Sequence, residues 1–352
     1  MLYVSTRNPQ AAYTAQQTMS RPTADDGGLF VPIYLSAYVR DDLHRLMGAP
    51  FPSVVCAVLN RFFPVRPCGA MPDVSNLELP EPIAIRQNVV VAPVWDKPSG
   101  SLSGLVRQLL DAMGVQVSGG QTWPVLAIHV AVLTGLYGKL CCEGLVRPGE
   151  QIDLVVSAAD FLLPVAAVYA RCLGFPLGTC ICVCNENTLP WELLHRGEVR
   201  FDGTGPTEKV GERREPINLE RLIFHRLGWE VAADYACALR QGESFTLTAE
   251  QRHDLRQDMS VSVVGSRRAM SMIPRVYRDM SCLFSPHSAM LYSGLLDHRA
   301  NGGKPLKTVL IAEESPMRWG EYVLKAMNIP VESVTGQIAA LETRAVKCRK
   351  GS

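Results

Sequence analysis

The stretch "QIDLVVSAADFLLPVAAVYARCLGFPLGTCICVCN", residues 151–185, decides the fold. Its first part, "QIDLVVSAADF", is typical of a buried strand that runs into a turn. "LPVAAVYARCLGF" predicts a helix ended by Gly174, and "GTCICVCN" predicts a second buried strand. Two apolar strands joined by a helix form a βαβ unit, in which the strands are parallel and helices cover the sheet. The stretch therefore predicts an α/β fold with a parallel sheet.

A second connection from strand to helix precedes this unit. The apolar run "VVVAPV" leads through "WDKPSGSLSG", residues 95–104, into the helical pattern "LVRQLLDAM". A strand that reaches a helix through a turn rich in Pro, Gly and Ser is a common place to bind an anion or a cofactor. Further on, "TVLIAEES", residues 308–315, predicts another short buried strand, and the helical "MRWGEYVLKAM" follows it.

Residues 216–292 have a different pattern. Helical periodicity is present in "NLERLIFHRL" and "AEQRHDLRQDM", and Thr248 with Gln251 three residues later predicts a capped helix start. These features predict a mainly helical subdomain. The polar segment 200–216 contains little that could pack, so we expect an exposed loop there.

The composition is that of a globular protein. The chain has 352 residues, of which 47% are hydrophobic and 20% charged, and its formal net charge is +1. This balance gives no electrostatic reason to expect nucleic acid or an anionic membrane as a partner. The apolar stretch 123–142 is interrupted by Pro124, His129 and Lys139, which favours a core helix over a membrane span. The N-terminal "MLYVSTRNPQ" lacks the pattern of a secretory signal, so we expect a cytoplasmic protein.

Eleven cysteines, an odd number, favour reduced thiols over a disulfide framework. Cys180, Cys182 and Cys184 alternate and would share one side of a strand. Such thiols usually pack as small apolar groups, although a metal or redox role stays open.

Several segments, taken in order, resemble those of threonine synthases, which are pyridoxal-phosphate (PLP) enzymes of the tryptophan-synthase-β-like fold. They are "STR" at 5–7, "DGGLFVP" at 26–32, "NENTLPWELLHRGE" at 185–198, "PINLERLIF" at 216–224 and "SPHSA" at 285–289. The resemblance spans nearly the whole chain. It implies the α/β architecture of that PLP fold.

The resemblance also aligns the turn at 95–104 with the segment that carries the family's cofactor lysine. In "KPSGSLSG", Leu102 stands for the family's Phe, and Ser103 falls where the lysine should be. A serine hydroxyl cannot form an imine with the aldehyde of PLP, nor move protons as the lysine amine does. Lys97 lies before the turn, so its side chain is expected to point elsewhere.

Two further cofactor positions depart from the family pattern. The phosphate loop is expected at Ala158, Ala159, Asp160, Phe161 and Leu162, where Ala159 and Leu162 replace glycines whose backbone amides would close around a phosphate. Leu162 would obstruct that approach, and Asp160 would repel the dianion.

On the pyridine side of the cofactor, Glu313 stands where the family has a hydroxyl residue. Glu313 could pair with a protonated pyridine nitrogen, but a surface carboxylate at a strand end is the more common case. His287, in "SPHSA", is expected to be a hydrogen-bonded histidine at a helix start.

The resemblance implies a deletion as well. Threonine synthases have a small α/β domain after the lysine helix, and here the chain runs from Ser103 to Trp123 with only a short linker, so we expect that domain to be excised near 111–122. The expected organisation is an N-terminal threonine-synthase-like segment (1–80), the α/β core (81–215), the mainly helical subdomain (216–292) and a C-terminal strand and helix that return to the core (293–352).

These departures predict a non-catalytic pseudoenzyme that acts as a binding or scaffold protein, associates with itself or with an active paralogue, and needs no cofactor. No catalytic residue and no metal ligand is assigned. The alternative is a PLP-dependent threonine synthase, converting O-phospho-L-homoserine to L-threonine, retained in atypical form or completed by a partner chain. A decaying gene product without a selected function is a third possibility.

Overall fold

The computed structural model describes residues 1–350 except 65–73, 75, 76, 87, 96, 116, 118, 186, 187 and 202–215. Its strands are β1 (Leu2–Ser5), β2 (Tyr13–Thr14), β3 (Phe30–Pro32), β4 (Ile83–Ile85), β5 (Val89–Pro93), β6 (Ile152–Ser157), β7 (Leu177–Cys184), β8 (Glu198–Arg200), β9 (Ser244–Thr246), β10 (Met259–Val263) and β11 (Thr308–Ala312). Its helices are α1 (Ala15–Ser20), α2 (Arg40–Met47), α3 (Phe51–Phe62), α4 (Leu102–Ala112), α5 (Trp123–Cys142), α6 (Leu162–Cys172), α7 (Leu189–Trp191), α8 (Leu219–Leu227), α9 (Trp229–Gln241), α10 (Ala249–Leu255), α11 (Ser266–Met280), α12 (Pro286–Ala300), α13 (Gly320–Ala326) and α14 (Val334–Lys350). A π-helical turn covers Glu192–Arg196 and a 3-10 turn covers Pro316–Trp319. Most of the expected loop at 200–216, and Glu186 and Asn187 of the "NEN" segment, lie outside the described residues.

Six strands form the central sheet in the order β10-β7-β6-β11-β5-β4. The strands from β10 to β5 are parallel to their neighbours, and β4 pairs with β5 in the antiparallel sense at one edge. The predicted α/β fold is confirmed, with a sheet that is mostly rather than wholly parallel. A separate antiparallel sheet, β2-β1-β3, is formed near the N-terminus of the chain.

The βαβ unit predicted from residues 151–185 is present as β6, α6 and β7. Strands β6 and β7 pair in parallel. Helix α6 ends at Cys172, and Gly174 follows with a φ of +100°. A side chain at that φ would be strained, so Gly174 ends the helix as predicted.

The alternating cysteines of β7 share one face of the sheet. Cys180, Cys182 and Cys184 are buried in the hydrophobic cluster on one side, whereas Ile181 and Val183 belong to the cluster on the other side. Burial raises the pKa of the Cys184 thiol to about 12, so this group is protonated at neutral pH. Core packing is therefore confirmed for these thiols.

Helix α5 passes through the centre of the larger cluster and packs against α3, α4 and α6. By length and composition it could cross a membrane, but 83% of its most apolar window is buried inside the protein. A helix that is apolar on all sides is expected where protein surrounds it. This position matches the prediction of a core helix.

The stretch 216–292 is mainly helical, as expected, but it also supplies a strand to the central sheet. The helical pattern "AEQRHDLRQDM" ends early, because α10 stops at Leu255 and Met259 begins β10, which pairs with β7. Thr248 and Gln251 do form the predicted capping box. The expected boundaries of the four regions stay predictions.

A buried arginine joins three distant parts of the chain. Arg221 is fully buried. Its guanidinium donates to the carbonyl oxygens of Phe30 (3.1 Å) and Gln121 (2.7 Å) and to Oδ1 of Asn218. Burial lowers its pKa to about 10, so it stays charged at neutral pH. The "PINLERLIF" segment thus connects to the N-terminal sheet and to the segment before α5.

The neighbouring Glu220 anchors the N-terminal "STR" segment. Its carboxylate is 1% exposed and accepts hydrogen bonds from Arg7, at 3.0 Å from Nη2 to Oε2, and from the Thr6 hydroxyl. Trp123 completes the contact, with its ring centroid 5.1 Å from that of Tyr3 and 5.3 Å from that of Phe62. Two segments named by the family resemblance therefore meet in space.

Replacement of the buried arginine tests this junction. We expect Arg221→Ala to lower the free energy of unfolding by about 3–5 kcal/mol, because three buried acceptors lose their donor and a cavity remains. Urea unfolding followed by circular dichroism measures the change. Arg240→Ala, an exposed arginine on α9, is the matched control and should shift the free energy by no more than about 0.5 kcal/mol. Equal effects of the two substitutions would contradict a structural role for Arg221.

Candidate functional site

The carboxyl ends of the parallel strands bring three separated segments together. Strand β5 leads to α4, β6 leads to α6, and β11 ends just before Glu313. The start of α4 is fixed to the end of β11, since the Leu102 N–H donates to the Glu313 carbonyl oxygen at 2.7 Å. Parallel strands place their carboxyl ends at one edge, where ligands of α/β proteins usually bind.

A cleft of about 400 Å³ lies at this edge. Its polar lining residues are Ser103, Arg107, Asp111, His129, Ser157, Asp160 and Glu313. The rest of its lining is mostly aliphatic, from α4, the segment after it, α5 and α6. The cleft therefore combines an apolar body with a few convergent polar groups, which is the usual form of a small-molecule site.

Ser103 lies in the first turn of α4 and is exposed to the cleft. Ser101, two residues earlier, caps the helix by accepting the Gly104 N–H at 3.2 Å. No lysine of the described ranges lines this cleft. Lys97 instead lines a second cavity of about 560 Å³ next to β4, β5 and α14. Within the described lining, the cleft offers hydroxyl and carboxyl groups but no primary amine.

In the loop between β6 and α6, a carboxylate of the loop itself accepts a hydrogen bond from the start of the helix. Oδ1 of Asp160 accepts the N–H of Leu162 at 3.1 Å, at the start of α6. Phe161 adopts a left-handed φ of +61°, and the Asn218 side chain donates to the Asp160 carbonyl oxygen at 3.2 Å. A helix N-terminus attracts anions because its first N–H groups lack partners. Here Asp160 takes up one of those donors.

Glu313, which lines the cleft, forms a largely buried pair with His287. The Glu313 side chain is 22% exposed, its Oε1 lies 3.4 Å from Nε2 of His287, and neither Oε1 nor His287 Nδ1 has a hydrogen-bond partner. Burial, together with the nearby charges of Asp160 and Glu314, raises the pKa of Glu313 to about 8. Burial lowers the pKa of His287 to about 4.

Two expectations about these groups are wrong. Glu313 is not a surface carboxylate, because the start of α4 covers the strand end that carries it. His287 does lie at the start of α12, but its Nδ1 is buried and unpartnered, so it is not a fully hydrogen-bonded histidine.

His129 contributes a polar group that sequence reasoning noted only as an interruption of an apolar helix. It is 7% exposed and lines the cleft from α5. Its Nδ1 donates to the Val125 carbonyl oxygen at 2.7 Å, and burial lowers its pKa. The neutral ring therefore keeps a lone pair on Nε2. The signal in the sequence that could have identified it was a histidine within an otherwise apolar helical pattern.

The polar groups of the cleft differ in exposure. Arg107 and Asp111 are exposed on α4, whereas His129 is buried and Asp160 and Glu313 are partly buried. No group of three or more His, Cys, Asp or Glu side chains in the described part of the chain could hold a metal ion. The less exposed part of the cleft therefore offers the lone pair of His129, the carboxylate of Asp160 and the carboxyl group of Glu313, whose pKa is about 8.

A profile of a known family, Threonine synthase N terminus, matches residues 2–67. Threonine synthase-like 1 from Homo sapiens and from Pongo abelii is 22% identical over 178 residues, covering 48% of this chain and 23% of the relative. The chain therefore matches about a quarter of the length of these relatives.

The solved structures with a similar fold are threonine synthases. The PLP-bound threonine synthase of Brucella melitensis superposes with a TM-score of 0.78 at 17% identity, covering 98% of this chain and 95% of that one. The threonine synthase of yeast gives 0.77 at 12% identity, covering 97% and 94%. This chain has the threonine synthase fold. In this fold the "STR" and "PINLERLIF" segments contact each other, and the cleft lies at the carboxyl ends of β5, β6 and β11.

The buried acid gives the threonine synthase-like cleft a dependence on pH. Because the pKa of Glu313 rises from 4.5 to about 8 on folding, the folded state holds this proton more tightly, and the free energy of unfolding falls as the pH rises from 4.5 to 8. We expect Glu313→Gln to gain stability relative to the unaltered chain across that window, by at most about 1.4 kcal/mol per pH unit.

Urea midpoints of both proteins between pH 6.5 and pH 8 measure the difference. His287 lies 3.4 Å from Glu313, and its own loss of stability as the pH falls from 6.5 to about 4 stays outside this range. Glu321→Gln, at an exposed site on α13, is the control for effects outside the cleft. A constant difference between Glu313→Gln and the unaltered chain would show that Glu313 ionises as an ordinary carboxyl.

Proposed function

We propose that this threonine synthase-like chain is a binding protein that does not carry out PLP-dependent catalysis. The observation that carries the proposal is the position of Ser103. It lies in the first turn of α4, in the cleft, where the family resemblance places the cofactor lysine. Without an amine at that place the aldehyde of PLP has no partner for an imine.

The described residues of the cleft do not fit PLP at its aldehyde end. The lining offers a hydroxyl at Ser103 and no lysine, and Lys97 lines the other cavity. Rates of such reactions fall steeply when a reacting group is misplaced by about 1 Å. A lysine outside the cleft therefore gives no support to retained catalysis.

The phosphate end does not fit either. Asp160 already accepts the Leu162 N–H at the start of α6, and its carboxylate would face a phosphate dianion across a partly buried space. Leu162 lines the cleft where a glycine would let the backbone approach. Together these residues support loss of the cofactor rather than a changed way of holding it.

Association with a second copy of the chain is the second part of the proposal. Leu2, Ile33 and Tyr34 are 51%, 53% and 75% exposed, and the Ile33 N–H donates to the Leu2 carbonyl oxygen at 3.0 Å. Leu2 begins β1, and Ile33 and Tyr34 directly follow its partner strand β3, so contact with another molecule at this sheet would bury exposed apolar side chains. An active paralogue is the alternative partner.

The cofactor test uses the purified full chain with added PLP. We expect no saturable aldimine band in the visible spectrum and, after borohydride reduction, no lysine labelled stoichiometrically. Lys97→Arg is the matched control, since it removes the lysine nearest in sequence while keeping its charge. A one-to-one adduct on any lysine of the unaltered chain would restore the enzyme interpretation, and its loss in Lys97→Arg would identify the residue.

The association test is sedimentation velocity over a wide range of protein concentration. We expect a concentration-dependent dimer that Tyr34→Ser weakens by at least about tenfold in dissociation constant, which corresponds to about 1.4 kcal/mol. Tyr322→Ser, a tyrosine 53% exposed on α13, is the control. A chain that stays monomeric at all concentrations contradicts self-association.

A further inference from the structure

Three polar side chains that line the cleft keep hydrogen-bonding capacity that the described residues do not fully use. His129 is 7% exposed and its Nδ1 is bonded to the Val125 carbonyl oxygen, so Nε2 is left as an acceptor without a partner among the described residues. Glu313 Oε1 is also buried and unpartnered. Asp160 uses Oδ1 for the Leu162 N–H and keeps Oδ2. Buried acceptors without partners are costly unless a ligand satisfies them.

The charge of these groups decides which ligand can satisfy them. Asp160, His129 and Glu313 all line the cleft. His129 is neutral because burial lowers its pKa, and its own proton is donated to the Val125 carbonyl oxygen. A carboxylate and a lone pair therefore face the ligand from the less exposed part of the lining, and the exposed Arg107 is the cationic side chain of the described lining.

The positive charge of the lining lies on an exposed side chain. Arg107 is exposed on α4 and is accompanied, one helical turn later, by the exposed Asp111. These two charges compensate each other at the entrance. An anion would have to pass them and reach a carboxylate, whereas a cation meets attraction that strengthens as water is excluded.

We propose that the cleft binds a small organic ammonium ion, with its cationic group between Asp160, His129 and Glu313 and its apolar part against the aliphatic lining. This rests on the proposed function, since it assumes that PLP does not occupy the cleft. An ammonium group supplies N–H donors to the Asp160 carboxylate, to Nε2 of His129 and to the carbonyl oxygen of the protonated Glu313. The volume of about 400 Å³ suits a ligand with a short hydrocarbon body.

The test compares three probes of one shape and different charge. Isothermal titration calorimetry of the full chain would use isopentylamine, isopentyl alcohol and isovalerate, which are cationic, neutral and anionic at neutral pH. We expect isopentylamine to bind with one-to-one stoichiometry, and both other probes to bind at least about tenfold more weakly, a difference of about 1.4 kcal/mol. Equal binding of the three, or preference for isovalerate, overturns the proposal without any variant.

Two variants locate the cation. Asp160→Asn keeps an oxygen for the Leu162 N–H but removes the charge, so it should weaken isopentylamine at least about tenfold and leave isopentyl alcohol unchanged. Asp279→Asn makes the same change in net charge on the exposed face of α11 and should change the affinity less than twofold, as expected of a distant exposed charge. Equal effects of the two variants would show that the amine responds to overall charge and would overturn the site.

The amine-binding test and the PLP test can fail separately. If isopentylamine fails to bind and the chain also forms no aldimine with PLP, the ammonium site is wrong while the non-catalytic proposal stands. If PLP forms a stoichiometric adduct, the non-catalytic proposal is wrong. Saturable binding of inorganic phosphate that Asp160→Asn does not alter would also overturn the ammonium site, because the cleft would then still accept an anion.

Discussion

A guanidinium can be buried only if its donors find acceptors, and the contacts of Arg221 determine how the distant parts of this chain are joined. Its partners come from the N-terminal sheet, from the segment before α5 and from its own helix start. Asn218, which accepts from Arg221, also donates to the carbonyl oxygens of Gly120 and Asp160. The walls of the cleft are thus fixed by the same hydrogen-bond network that joins the N-terminal segment to the core.

The cleft keeps the position that the fold provides but has the opposite electrostatic character to a phosphate site. A helix N-terminus is a ready site for an anion, and at α6 the chain places its own carboxylate there. Glu313 adds a second acid, and burial rather than a salt bridge is the main reason it holds its proton. Buried ionisable groups of this kind lower the free energy of unfolding. Groups that carry such a cost are typical of functional sites, and here they lie at the carboxyl edge of the sheet.

Sequence patterns were most informative where burial is complete. The βαβ unit at 151–185 and the core helix at 123–142 were predictable because every side of these elements is apolar. Strand β10 was missed because it lies at the edge of the sheet, where its residues are only partly buried and alternate weakly after the polar α10. The environment of Glu313 was misjudged for a related reason: its covering residues come from α4, more than two hundred positions earlier in the chain.

The sequence by itself determined the fold class and predicted the resemblance to threonine synthases, with Ser103 at the lysine position, because apolar periodicity and ordered motifs are local properties of the chain. Only the tertiary structure decided that Ser103, His129, Asp160 and Glu313 face one space, and that Asp160 covers the start of α6. Those facts depend on which strands are neighbours and on where their carboxyl ends meet. The charge and protonation of the cleft follow from burial by distant segments, which no stretch of sequence contains.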